Sequence, residues 1–169
     1  MRRLLISVPI VLALVTVATP ATAVTTIREP IPLAKNVRLE GFCSFPVIAN
    51  DVAGGQTQTT YLDDQGNVVR IQNHGHLVST FTNPRNGKSV TFNNSGPVTI
   101  TFNDDGTITL VQRGQSISGD QGVISGHPFL IHNSGRLVSG GSPDTATGFL
   151  DFVSQTREGH TTDVCAALA

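Results

Sequence analysis

The chain has 169 residues, 11 basic against 12 acidic side chains, and only 14% charged residues in all. A coiled coil needs charge-rich heptads, and a disordered chain needs low apolar content or high net charge, so this composition excludes both. No basic run is present to meet a phosphate backbone, which excludes nucleic acid as an expected partner.

In chain order, the first element is an address. Met1-Arg2-Arg3 is basic, Leu4 to Val17 is apolar apart from Ser7, Pro9 and Thr16, and Ala21-Thr22-Ala23 places small residues before Val24. That order is the pattern of a secretory signal peptide. The apolar run falls short of the roughly 20 residues that a spanning helix needs. Residues 1–23 are therefore read as a cleaved signal peptide, and the mature protein is expected to be secreted, extracellular and free of the membrane. Residues 24–36 carry Pro30 and Pro32 and read as an extended N-terminal arm. Residues 37–169 read as one domain.

From Val37 onward the hydrophobic pattern has period two. Val98, Ile100 and Phe102 alternate with Thr99 and Thr101, Val90 and Phe92 with Thr91, and Ile108 and Leu110 with Thr109. Strands apolar on one face and polar on the other give this pattern. Turn chemistry separates them. Asp63-Asp64-Gln65-Gly66-Asn67, Asn73-His74-Gly75-His76, Asn83 to Lys88, Asn94-Ser95-Gly96-Pro97, Asn103 to Gly106 and Asn133-Ser134-Gly135-Arg136 all offer Gly, Asn or Asp where a turn needs them. Gly140 to Asp144 reads as a longer loop. The expected fold is all-β: an antiparallel meander, closed into an up-and-down β-barrel, with a β-sandwich as the alternative. No fixed-period repeat is visible. Val69, Ile71, Val90, Phe92, Val98, Ile100, Phe102, Ile108, Leu110, Phe129 and Ile131 are expected to share one buried face.

The chain has two cysteines, Cys43 and Cys165, which bracket the domain. In an exported chain an even count reads as a disulfide, here expected to tie the first strand to the last. Closing a loop on the order of 100 residues is worth about 5 kcal/mol in the simple chain model.

The run Thr80 to Val90, then Asn94-Ser95-Gly96-Pro97, Asp104-Asp105-Gly106-Thr107 and Ser134-Gly135-Arg136, with the tail Thr162-Asp163-Val164-Cys165-Ala166-Ala167-Leu168, resembles a group of small secreted β-proteins of high-GC Gram-positive bacteria. The resemblance covers most of the mature chain. It implies address and fold, and brings no activity or catalytic residues.

The chemistry-bearing residues are few. His74-Gly75-His76 puts two imidazoles two apart, on one face if the segment is a strand, where they are metal-ligand candidates; His127, His132 and His160 are possible third ligands. The competing reading is an exposed turn and no metal. Asp63-Asp64 and Asp104-Asp105 precede glycines and read as turn residues, not as acid/base pairs. Gly114 to Gly119 around Ser116 departs from the spacing of a nucleophile elbow. Asp151, inside the apolar run Phe149 to Val153, and His132, after Phe129-Leu130-Ile131, are the catalytic candidates, with Arg113 and Arg136 as possible neighbours of Asp151. Neither forms a recognisable catalytic motif, and no cofactor is expected. Three functions follow: a binding module for a small apolar ligand, a protein-interaction module, or a small secreted enzyme with a His/Asp site.

Overall fold

The computed structural model describes residues 25–143 and 150–169, with the side chains at 143, 150 and 151 outside the description. Among the described residues nine strands and a terminal helix follow one another: β1 (Thr25–Ile31), β2 (Val37–Leu39), β3 (Val47–Leu62), β4 (Val68–Thr82), β5 (Ser89–Asn93), β6 (Val98–Phe102), β7 (Ile108–Gln121), β8 (Pro128–Pro143), β9 (Leu150–Asp163) and α1 (Val164–Leu168). All pair antiparallel in one sheet of order β1-β3-β4-β6-β7-β8-β9, with β2 added to β3 and β5 to β4. The all-β meander expected from period two is present. The closed barrel is not. Closure requires the first strand to pair with the last, whereas β1 pairs with β3 and β9 with β8, and the two ends of the sheet do not meet among the described residues. Most of the expected extended arm is β1 itself, an exposed edge strand that carries Pro30 where an edge tolerates it.

The strands are longer than the turn chemistry suggested. The expected turns at 73–76 and 133–136 lie in the middle of β4 and β8, and the expected loop at 140–144 overlaps the end of β8. What stands there is a bend. Gly54, Gly75, Gly114, Gly135 and Gly159 have positive φ inside β3, β4, β7, β8 and β9. Gly135 faces Gly159 across the ladder, and a Cβ on Gly135 would lie 2.0 Å from the Glu158 carbonyl oxygen. Only glycine permits both this backbone angle and this approach.

The size of the bend follows from two contacts. Ser118 stands in the ladder opposite Ile131, and Leu110, eight positions earlier on β7, stands opposite Ser139, which faces Gln155 on β9. In a flat sheet that offset is about 26 Å. Yet Gln155 Nε2 donates to Ser118 Oγ at 3.1 Å. Arg157 and Phe129 are offset in the same way, and the guanidinium lies 4.3 Å from the ring centroid. The β7–β8–β9 part of the sheet therefore folds back on itself along the glycine line.

The hydrophobic core lies on the upper side of that line, the side carrying β2, β5 and α1. Val47, Phe81, Leu130, Val164 and Leu168 form it, each at most 3% exposed. Adjacent Leu130 and Ile131 are both buried, so the upper β7–β8 hairpin is covered on both faces. The ladder does put Ile71, Ile100 and Leu110 side by side, and Phe102 beside Ile108, as the expected shared face requires. Of the expected core, however, only Ile108 and Ile131 are buried, and the central cluster comes from other residues.

Cys43 and Cys165 form a disulfide with Cα atoms 5.5 Å apart. It joins the loop before β3 to α1, not strand to strand as expected. Asp163 caps α1, its Oδ1 accepting from Ala166 N at 3.0 Å. Asn83 and Asn86, in the β4–β5 turn, both donate to the Leu168 carbonyl, at 3.1 and 3.0 Å. That turn is thus also a clamp on the C-terminal helix.

Candidate functional site: a groove in the fold of the sheet

The fold-back creates a groove of about 650 Å³. Its lower wall is the inner face of β7, β8 and β9: Leu110, Gln112, Leu137, Ser139, Phe152 and Gln155. The opposing wall is the upper part of β7 from Ile117 to Gln121, with Val123 and Ile124 of the β7–β8 loop, and Phe42 stands beside them. Phe42 fits there because residue 119 is glycine; a Cβ on Gly119 would lie 2.6 Å from the Phe42 ring.

Gln155 fixes the polar strip of the groove. Its Nε2 donates to Ser118 Oγ at 3.1 Å and Ser139 Oγ at 3.3 Å, while its Oε1 accepts from Arg157 Nε at 2.9 Å. Among the described residues Asp120 is the one ionisable group in the lining, and it is spent on its own loop. Its carboxylate, on a residue 5% exposed, accepts from the backbone N–H groups of Gly122, Val123, Ile124 and Ser125 and from Ser125 Oγ. Burial pushes its pKa up, and this is the largest single influence. The hydrogen bonds from Ser125, Ile124 and Val123 together outweigh it, so the pKa lies below the ordinary carboxylate value. A carboxylate held ionised by so many donors orders a loop; it is poorly matched to moving protons at neutral pH.

The residues singled out in the sequence lie elsewhere. His132 stacks on Phe92, ring centroids 4.5 Å apart, with Nε2 3.0 Å from the Asn93 carbonyl oxygen. The backbone of Asp151 pairs with Ser142, and its side chain lies outside the described residues. Arg136 faces Arg113 on one side and Glu158 on the other, at 3.9 Å from the Glu158 carboxylate. His74 and His76 are exposed within β4 and flank Gly75 at the bend. His127 and His160 are exposed as well. No group of three His, Cys, Asp or Glu side chains converges among the described residues. Asp63 and Asp105 act in turns: Asp63 Oδ1 accepts from Gln65 N and Asn67 N, and Asp105 Oδ1 from Thr107 N. Hydrogen bonds from Asn67 and from Thr107, respectively, lower the two pKa values.

Sequence reasoning missed Asp120, Gln155 and Phe42. Asp120 had a visible signal, since Asp followed by Gly122 and Ser125 is the composition of a side-chain-capped loop. Gln155 and Phe42 had none, because their roles depend on a bend that brings distant rows together. The chain matches no protein-family model, no curated protein and no solved structure.

Proposed function

We propose that the protein is an exported, non-catalytic binding module that holds a small, neutral, largely apolar ligand in the groove of the folded sheet. The observation that carries this reading is the lining: apolar walls from Phe42, Leu110, Phe152 and Ile117, a neutral strip from Gln155, Ser118 and Ser139, and one carboxylate already saturated by its own loop. Apolar walls with a few fixed polar groups suit ligand binding. Among the described residues the lining offers no free acid or base, and its two serine hydroxyls are engaged by Gln155, which disfavours the enzyme reading. Export with loss of residues 1–23 is part of the proposal, supported by the N-terminal pattern and by a disulfide that persists in oxidising compartments.

The test uses N-phenyl-1-naphthylamine, a neutral apolar fluorophore. Saturable fluorescence enhancement is expected with the native protein, and Leu110→Arg, which puts a charge on the groove wall, should weaken it at least about tenfold. Absence of saturable binding, or equal binding by Leu110→Arg, would overturn the proposal.

A further inference from the structure

A second, smaller hollow lies where the β3–β4 hairpin bends at Gly54 and Gly75, with a volume of about 240 Å³. Its apolar side is Leu77, Phe81, Val98 and Ile117, and its polar side is Asp51, Asn73, Asn94, Ser116, Gln56 and Gln112. Gln112 and Ile117 also line the groove and stand between the two spaces. The loop joining β5 to β6 packs on β7 at the border of the chamber: Gly96 N donates to Gln115 O at 2.7 Å, and a Cβ on Gly96 would lie 2.2 Å from the Arg113 carbonyl oxygen.

The chamber concentrates an unusual feature. Buried side-chain polar atoms are nearly always hydrogen-bonded, and each exception requires an explanation. Among the described residues the exceptions are Asn73 Oδ1, Asn94 Oδ1, Ser116 Oγ and both amide atoms of Asn133. Asn73, Asn94 and Ser116 line the chamber, and Asn133 stands directly opposite Ser116 in the ladder. Asn94, Ser116 and Asn133 are 8%, 4% and 0% exposed. Four residues from four separate segments thus present unpaired polar atoms at one level of the fold. An apolar residue at any of these positions would avoid the desolvation penalty.

We infer that this chamber is a binding site, distinct from the groove, for a small neutral hydroxyl-rich molecule of monosaccharide size. The polar atoms are amides and a hydroxyl, groups that both donate and accept, and they match a ligand hydroxyl that does the same. Asp51 is the one carboxylate in the lining, and its two oxygens already accept from Ser79 Oγ at 2.6 Å and Ala34 N at 2.8 Å; a single, occupied carboxylate is a poor site for a bare divalent cation. Leu77 and Val98, both only half-buried, offer the apolar surface that the C–H face of a sugar ring needs. The competing occupant is a cluster of about eight waters.

The experiment titrates uniformly 15N-labelled protein with D-glucose, D-galactose and myo-inositol in the millimolar range. At least one should produce saturable shifts of the Asn73 and Asn94 side-chain amide signals. Ser116→Ala should weaken that response at least about tenfold, leave the urea midpoint unchanged or raised, and leave N-phenyl-1-naphthylamine binding as it was. The inference is overturned if none of the three compounds gives saturable shifts, or if the shifts map to Phe42 and Phe152 in the groove. It is equally overturned if Ser116→Ala lowers the urea midpoint, since the hydroxyl would then belong to a fixed water network that holds the fold together.

Discussion

The glycine line divides the sheet into two parts that use the same kind of strand differently. Above it, β2, β5, the upper hairpins and α1 enclose Val47, Phe81, Leu130, Val164 and Leu168, and the Cys43–Cys165 bond locks the loop before β3 to the helix. Below it, Ile71, Ile100, Leu110 and Phe102 are aligned on one face but only half-buried, with Ile108 and Leu137 the well-buried apolar residues. The lower part has equally regular alternation. Among the described residues it lacks a second layer of its own except where the upper β7–β8 hairpin folds over it. Core formation in this chain therefore depends on what the bend brings above a strand, and the incompletely covered area is where the groove opens.

The comparison is broken most severely by removing the bend. Gly135→Ala places a methyl 2.0 Å from the Glu158 carbonyl oxygen at φ +155°, with only backbone there to yield. A cost above about 4 kcal/mol is expected, or failure to fold. Gly66→Ala is the control: it also has positive φ, in an open turn with no atom within 4 Å, and should cost about 1–2 kcal/mol. Urea melts of the two variants decide it. Equal costs would mean that the close approach at Gly135 is not what shapes the sheet.

This pair of glycines also marks what the sequence could and could not reveal. Gly66 follows Asp63, whose side chain accepts from Gln65 N and Asn67 N, and this turn was legible. Gly135 follows Asn133-Ser134 and looks the same in sequence, but Asn133 is 0% exposed and its amide does not cap the backbone. Local composition is identical for a turn and for a mid-strand bend. The difference lies in the facing strand, which a single chain does not display. The groove was less legible than the strands, because it pairs residues eight ladder positions apart. The disulfide was legible as a pair, but its attachment to a five-residue helix was not.

A narrower test compares two phenylalanines across the glycine line. Phe81 is 3% exposed within the core, and Phe81→Ala should cost about 3–5 kcal/mol. Phe102 has the same alternation in sequence but is half-buried on β6, so Phe102→Ala should cost about 1–2 kcal/mol. Chemical denaturation of both variants measures the difference. A larger loss at Phe102 would place the stabilising core in the lower part and invert the comparison.

The last test concerns Asp120, which reaches from the end of β7 to hold the loop that walls the groove. In Asp120→Asn one amide oxygen can still accept from Gly122 and Val123. The new NH2 would face the Ile124 and Ser125 N–H groups, donor against donor. A loss of about 2 kcal/mol at neutral pH is expected. Its pH dependence has a definite sign. The folded-state pKa is depressed, so the stabilisation is full above the unfolded value of about 3.9 and disappears as pH falls through the lower folded value. The stability difference between native protein and Asp120→Asn should therefore be constant from neutral pH down to about 5 and shrink below about 4. Asp63 and Asp105 have lowered pKa values too, but they are present in both proteins and cancel in the difference. Urea midpoints measured as a function of pH give the curve. A difference that stays flat into strong acid would mean that the carboxylate's shape, and not its charge, holds the loop.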